Sequence, residues 1–204
     1  MPYRTTPAIQ ARMDVQRAAI VAAAIAVLTE HGYAGCSVAA VAARAGVATG
    51  TVYKHFDSKA ELVAEVFQQV VTGEVAAVAA AAAIPGELVD RVVAVLETFA
   101  RRALKVPRLA YALLAEPVDA RVDAQRLEFR RAFQDVIAGT IAEGVRTGVL
   151  PPQHPRLTAA ALVGAAGEVL LGPLSEEDTR VDDTMPALTA FILRALGGRD
   201  ATDA

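Results

Sequence analysis

The apolar residues of this chain recur at helical spacing, and much of the apolar fraction is alanine, a pattern that constrains the fold more than any other feature. Alanine is the best helix former because it has no side-chain rotamer freedom to lose. Apolar residues make up 54% of 204 positions, enough to bury a sizeable core and to exclude bulk disorder. There is no Trp and no Asn, and β-branched and aromatic residues do not gather into alternating runs, so no segment reads as a strand. An all-α protein is expected. Helices are predicted over residues 13–31, 38–45, 50–56, 58–83, 87–105, 108–116, 120–147, 156–171 and 185–196. Gly32, Gly46, Pro85 with Gly86, Pro107, Pro117, the segment 148–155, Pro173 and Gly197 with Gly198 mark the breaks. Residues 1–12, with Pro2, Arg4, Pro7 and Arg12, read as a flexible arm.

Cys36 is the single cysteine, so no intramolecular disulfide can form and a reducing compartment fits. Its position next to a helix cap allows a reactive thiol, but a small buried thiol is the simpler reading. No secretory signal pattern is visible. The apolar runs 18–28 and 75–84 are too short for a bilayer, and 159–171 carries Glu168. These features predict a soluble, cytoplasmic protein without a membrane partner.

The net charge of −3 argues by itself against a nucleic-acid partner, but the distribution reverses the argument. Residues 1–60 hold six basic side chains (Arg4, Arg12, Arg17, Arg44, Lys54, Lys59) against three acidic ones (Asp14, Glu30, Asp57), a net +3. The remainder holds 14 basic against 20 acidic, a net −6.

Residues 37–59 read SVAAVAARAGVATGTVYKHFDSK. Ser37 can cap one short helix and Thr49 a second, with Gly46 in the tight turn between them, the layout of a helix-turn-helix. Val38, Val41, Ala42 and Ala45 form one stripe, and Val52 and Phe56, four apart, form the inward stripe of the second helix. A 100° step per residue then turns Gly50, Thr51 and Lys54 outward, with Tyr53 and His55 at the flanks. Small, hydroxyl and cationic groups on a free helix face suit a major groove. Ser58 and Glu61 have capping-box spacing at the start of the next helix.

Gly32-Tyr33, Ser37, Val41-Ala42, Ala45-Gly46-Val47, the run 49–56, Ser58-Lys59 and Glu61-Leu62 together resemble the DNA-binding region of the TetR family of bacterial repressors, over about residues 13–65. Ala39, Ala40 and Ala43 stand where family members often carry charge, leaving Ser37 and Arg44 as the polar groups of the first short helix. The resemblance implies a three-helix DNA-binding head, placed here at residues 1–62. It also implies an all-helical effector-binding and dimerisation domain, placed at 63–204. It matches Tyr53 and Lys59 to phosphate-holding positions, and Thr49, Gly50, Thr51, Lys54 and His55 to the recognition surface. A phosphate near Lys59 would gain from the lysine and from the free N–H groups of the helix start. The recognition face lacks Arg, Asn and Gln, so bidentate base contacts are unavailable from it, and readout should lean on DNA shape and the N-terminal arm.

The glycines around Thr49 lack the lysine and the preceding strand of a phosphate loop. His31, His55 and His154 have no metal-ligand spacing, and no catalytic arrangement can be proposed; neither a metal nor a cofactor is expected. In the C-terminal part Phe99, Tyr111, Leu114, Phe133 and Ile137 are large apolar groups able to line an effector pocket. Arg126, Arg130, Phe133, Ile137 and Ile141 share a helical stripe, and Glu168 interrupts an apolar run. Arg130 and Glu168 are therefore candidate polar anchors for a small, largely apolar effector. The alternatives are that the arginines snorkel, that Glu168 reaches solvent, that the charges form an ion pair near the dimer seam, or that Arg130 pairs with Glu97, Glu116 or Glu168. Small residues over 156–171 and the stripe Leu188, Phe191, Ile192, Ala195 and Leu196 suit either monomer core or, as favoured here, a homodimer through the last two long helices. The leading reading is a ligand-responsive repressor on an inverted-repeat, double-stranded operator. An enzyme or carrier using the helical cavity, and a helical interaction module, are the competing classes.

Overall fold

The structure is a computed structural model that describes residues 6–175 and 181–197, without the side chains of 181–183. Pro2 and Arg4 of the expected arm, and Gly198, lie outside the described residues. Nine helices form among the described residues, with no strand: α1 (Pro7–Gly35), α2 (Val38–Ala45), α3 (Thr49–Tyr53), α4 (Lys59–Ala82), α5 (Leu88–Lys105), α6 (Pro107–Leu114), α7 (Ala120–Thr147), α8 (Pro155–Ser175) and α9 (Val181–Ala195).

Proline accounts for most boundary differences. Residues 7–12, expected as an arm, are helical: Thr6 accepts from the Ile9 N–H at 3.4 Å, and Pro7 takes the first helical position. There a missing N–H costs nothing, since that donor would be orphaned anyway. The same logic turns Pro107 and Pro155 from expected breaks into helix starts, with His154 Nδ1 accepting from the Leu157 N–H at 3.3 Å. Pro173 lies inside α8, which continues to Ser175, and Pro186 lies inside α9. Gly32 interrupts α1 with φ +66° and ψ −172°, and the helix resumes for a last turn through Gly35. A side chain would be strained at that φ. Ser37 and Ser58 cap as expected, accepting from Ala40 and Glu61 N–H groups at 3.1 Å each. Glu61 returns its bond to Asp57 N–H at 2.7 Å, one residue before the capping serine.

The helices close around two apolar cores. One joins Ile20, Val27 and Leu28 of α1, Val41, Val52 and Phe56 of the helix-turn-helix, and Leu62 to Phe67 of α4. It also takes in Leu109 and Ala112 of α6 and Val122 of α7. The other gathers Val92, Leu96 and Phe99 of α5, Phe133, Ile137 and Ile141 of α7, Leu162 and Leu170 of α8, and Leu188 and Ile192 of α9. Helix α4 crosses residue 62 unbroken and contributes to both cores. By length and composition alone, α1, α4 and α8 are long and apolar enough to cross a membrane, because each helix outruns the apolar stretch read from sequence. Their buried faces are used in these two cores.

Candidate nucleic-acid interface and ligand cavity

Helix α2 ends at Gly46 in the left-handed conformation (φ +66°), and Gly46 and Val47 N–H groups close the turn onto Ala43 and Ala42 carbonyls. Val41, Ala42, Val52 and Phe56 are buried to 2% exposure or less, so the inner face of the helix-turn-helix is fixed. Helix α3 begins one residue earlier than expected. Ala48 occupies the cap position without a side-chain bond, and Thr49 is thereby helical and exposed rather than capping. Gly50, Tyr53 and Lys54 are exposed, and Thr51 is half-buried. Below this face Arg17 of α1 lies 4.5 Å over the Phe56 ring and pairs with Glu65 of α4 at 2.8 Å. That hydrogen bond holds the Glu65 carboxyl below its ordinary range and raises Arg17.

Several predicted contacts already have protein partners. Exposed Arg44 pairs with Glu30 at 2.5 Å. Half-buried His55 shares a hydrogen bond with Gln16 at 3.0 Å. Lys59 Nζ donates to the Tyr33 carbonyl at 2.7 Å and sits 3.9 Å over the Tyr33 ring. An ammonium has three donors, so a phosphate contact from Lys59 would add to these bonds. Ser37 is exposed at the start of α2. Burial leaves Cys36 2% exposed and pushes its thiol up, the inert reading.

A cavity of about 340 Å³ opens between α5, α6, α7 and α8. It brings together Phe99, Leu114, Arg130, Phe133 and Glu168 from the expected set, and adds Phe129, Gln134 and Val163. Gly164 and Gly167 form part of its wall, where a Cβ would meet nothing within 4 Å. Arg130 and Glu168 are exposed, and among the described residues neither forms an ion pair. Glu97 instead faces Arg101, and Glu116 is used elsewhere. Two expectations are corrected. Ile137 is fully buried in the core, and half-buried Tyr111 packs against that core; neither lines the cavity. The stripe on α9 divides between the two expected uses. Leu188, Ile192 and Leu196 are buried within the protomer, and Phe191 is left 41% exposed.

The sequence of residues 20–66 matches the family of bacterial regulatory proteins named tetR. An uncharacterized HTH-type transcriptional regulator of Mycobacterium tuberculosis is 50% identical over 52 residues, which is 26% of this chain and 24% of that protein. The match thus spans about a quarter of such relatives. A TetR/AcrR-family regulator from Thermobifida fusca superposes with a TM-score of 0.69 at 25% identity, over 87% of this chain and 96% of that one. The regulator FadR of Bacillus subtilis superposes at 0.75 with 20% identity, over 89% and 98%.

Over residues 20–66 the chain matches the TetR family, and over 87% of its length it shares the fold of a TetR/AcrR-family regulator.

In this TetR-like fold the head is clamped to the body at the Gly32 break. Glu116, just beyond α6, accepts from the Tyr33 and Ala34 N–H groups at 2.7 and 2.9 Å. A Cβ at Gly32 would lie 3.1 Å from that carboxylate, so glycine also makes room for it. The Tyr33 hydroxyl donates to Asp119, and Arg108 at the start of α6 donates to the Glu30 carbonyl. Burial, then the Asp119 bond, push the Tyr33 phenol up to about 12. Arg126 of α7 donates to the Ala112, Leu113 and Glu116 carbonyls at 3.1, 2.9 and 2.8 Å, capping the C-terminal end of α6. Of the two arginines on the predicted stripe, Arg126 is the buried one, its side chain 11% exposed, and burial draws its guanidinium below the usual range. Phe129 could have been found from its four-residue spacing to Phe133. Glu116 could not, because its partner lies 83 residues away.

Proposed function

We propose that the protein is a transcriptional regulator of the cytoplasm that binds an inverted-repeat operator as a homodimer and releases it when a small effector fills the α5–α8 cavity. The observation that carries the reading is the free face of α3. Gly50, Tyr53 and Lys54 stand exposed on a helix whose other side is pinned by Val52 and Phe56. Release by the effector makes it a repressor. The apolar side chains left outward on α8 and α9, Leu157, Val169 and Phe191, support a dimer through those helices. Two-fold symmetry then asks for half-sites about one helical turn, or a multiple, apart.

The effector we infer has a large apolar body and one acidic group held by Arg130. The aromatic walls Phe99, Phe129 and Phe133, and Arg130, which forms no ion pair among the described residues, support it. Similar folds hold ligands of very different size: the FadR structure of Bacillus subtilis is a complex with stearoyl-CoA, and the RolR structure contains resorcinol. By linkage, DNA must weaken effector binding by the factor with which effector weakens DNA binding.

A gel shift on the DNA upstream of the protein's own coding region tests the regulator reading. Binding should be specific and fall steeply from low to physiological salt. Equal affinity for all sequences at physiological salt would overturn it. For the effector, calorimetry of an acidic ligand and its uncharged isostere on wild type and Arg130→Met decides. The substitution should weaken the acid and spare the neutral analogue.

A further inference from the structure

A second cavity, of about 70 Å³, lies between α4, α5, α6 and α7, and its lining is almost wholly apolar. Val70 and Val71 come from α4, Ala103 from α5, and Leu109 and Leu113 from α6. Three residues, Phe99, Leu114 and Phe129, line this cavity and the larger one alike, so a single layer of side chains divides them. Within the aromatic cluster, Phe99 and Phe133 are close, at 5.0 Å between centroids. Phe129 is the outlying ring, 6.4 Å from Phe99 and 6.0 Å from Phe133. A turn of the Phe129 side chain joins the two spaces with the least loss of contact. At the far end Arg102 and Glu74 also line the small cavity, and they form a two-bond ion pair at 2.6 and 2.7 Å.

We propose that the two cavities form one bipartite site for an amphipathic ligand with an unbranched alkyl tail. The head group stays with Arg130 and Gln134 in the larger space, and the tail passes Phe129 into the smaller one. This rests on the effector reading above and deepens it. The division of size and polarity selects the occupant. The larger space carries Arg130, Gln134 and Glu168, whereas the smaller one, apolar except for the mutually paired Arg102 and Glu74 at its end, has room only for a slim hydrocarbon segment. The Arg102–Glu74 pair sets where the tail must stop.

The smaller compartment is also the one placed to act on DNA. Among the walls of the large cavity, α6 and the first turn of α7 touch the head's core; the small cavity adds α4, which runs directly out of that core. A tail between α4 and α6 pushes apart the helix that carries the helix-turn-helix and the helix clamped to Glu30, Tyr33 and Ala34. Short ligands therefore bind without releasing DNA, and ligands long enough to pass Phe129 release it.

The test uses the full-length protein and n-alkanoates from hexanoate to hexadecanoate below their micelle concentrations. The matching 1-alkanols and alkylammonium ions serve as head-group controls. Calorimetry measures binding, and fluorescence anisotropy on a fragment selected from random DNA measures release. Affinity should rise about fourfold per methylene once the tail enters the compartment, then level off. Val70→Phe should bring the plateau at least two methylenes earlier and leave hexanoate unchanged. Arg102→Ala, a surface change, should move the plateau to longer chains. DNA release should begin only at lengths on the rising limb. No length dependence in any series, or plateaus that neither substitution moves, would overturn the bipartite site. Arg130-dependent binding without length dependence would keep the effector reading and discard this one. Length dependence that Arg130→Met leaves intact would do the reverse.

Discussion

The two apolar cores of the protein are built to different standards. In the head, Ile20, Leu28, Val41, Val52, Phe56 and Leu62 are all at 1% exposure or below, and all function proposed for it lies on the outside. In the body, an equally buried set surrounds two cavities of about 340 and 70 Å³. A DNA-reading helix must be held rigidly by what lies beneath it, so a filled core serves it. A regulatory domain must have room for an occupant and two arrangements close in energy, so some packing is forgone.

Substitution of one aromatic ring in each core sharpens the contrast. Phe56→Ala removes a ring packed on all sides under α3 and should cost about 3–5 kcal/mol of stability. Phe129→Ala removes a ring that already faces two cavities and should cost clearly less, because fewer contacts are lost. Urea denaturation of both variants checks this; equal costs would break the comparison.

The junction between the cores should give an intermediate effect. Arg126→Met leaves the Ala112, Leu113 and Glu116 carbonyls without their cationic donor. A loss of about 2 kcal/mol is expected from removing charge-assisted bonds at a buried site. Hydrogen exchange should quicken in α6 and at the Tyr33 and Ala34 amides before it quickens elsewhere. Uniform acceleration along the chain would contradict the idea of a local clamp.

The smallest effect is expected at the Tyr33 hydroxyl. Tyr33→Phe removes the bond to Asp119 and should cost about 1 kcal/mol. The pH dependence has a definite sign. The folded phenol ionises at about 12, above the value of about 10 in an unfolded chain. Its contribution is fully present below the unfolded value and is lost as pH rises through the folded one. The wild type should therefore lose stability relative to Tyr33→Phe between those two values. Parallel curves across that window would show that Tyr33 is not so placed.

The sequence made the head more legible than the body, for a physical reason. The helix-turn-helix is local: Ser37, Gly46, Val52 and Phe56 act on neighbours a few residues away, so spacing alone placed Gly50 and Lys54 on the exposed side, while Thr51 is half-buried and Tyr53, expected at a flank, is exposed. The cap was misplaced by one residue because Ala48, which has no capping group, could take that position once the turn was set by Gly46. The start of α7 at Ala120 and its end at Thr147 were legible from a long periodic run bounded by Pro117 and Gly148. A cavity, in contrast, is a shortage of matter between elements far apart in sequence. Periodicity identified Phe99, Phe133 and Arg130 as inward or stripe residues. It could not separate Ile137, which packs, from Phe129, which lines open space. The pairing of Glu116 with the end of α1 left no local trace, since a carboxylate beside a proline reads as ordinary surface.

The central claim is that the free face of α3 reads DNA, and selection from random duplexes tests it most directly. Wild type, Thr51→Ala and Lys54→Ala would each be carried through selection at physiological salt. The wild type should enrich an inverted repeat. Each substitution should relax preference at one or two base pairs per half-site, by about 1–3 kcal/mol for a good contact, with little change in affinity for random DNA. Failure of the wild type to enrich any sequence, or base preferences identical in all three proteins, would contradict the account.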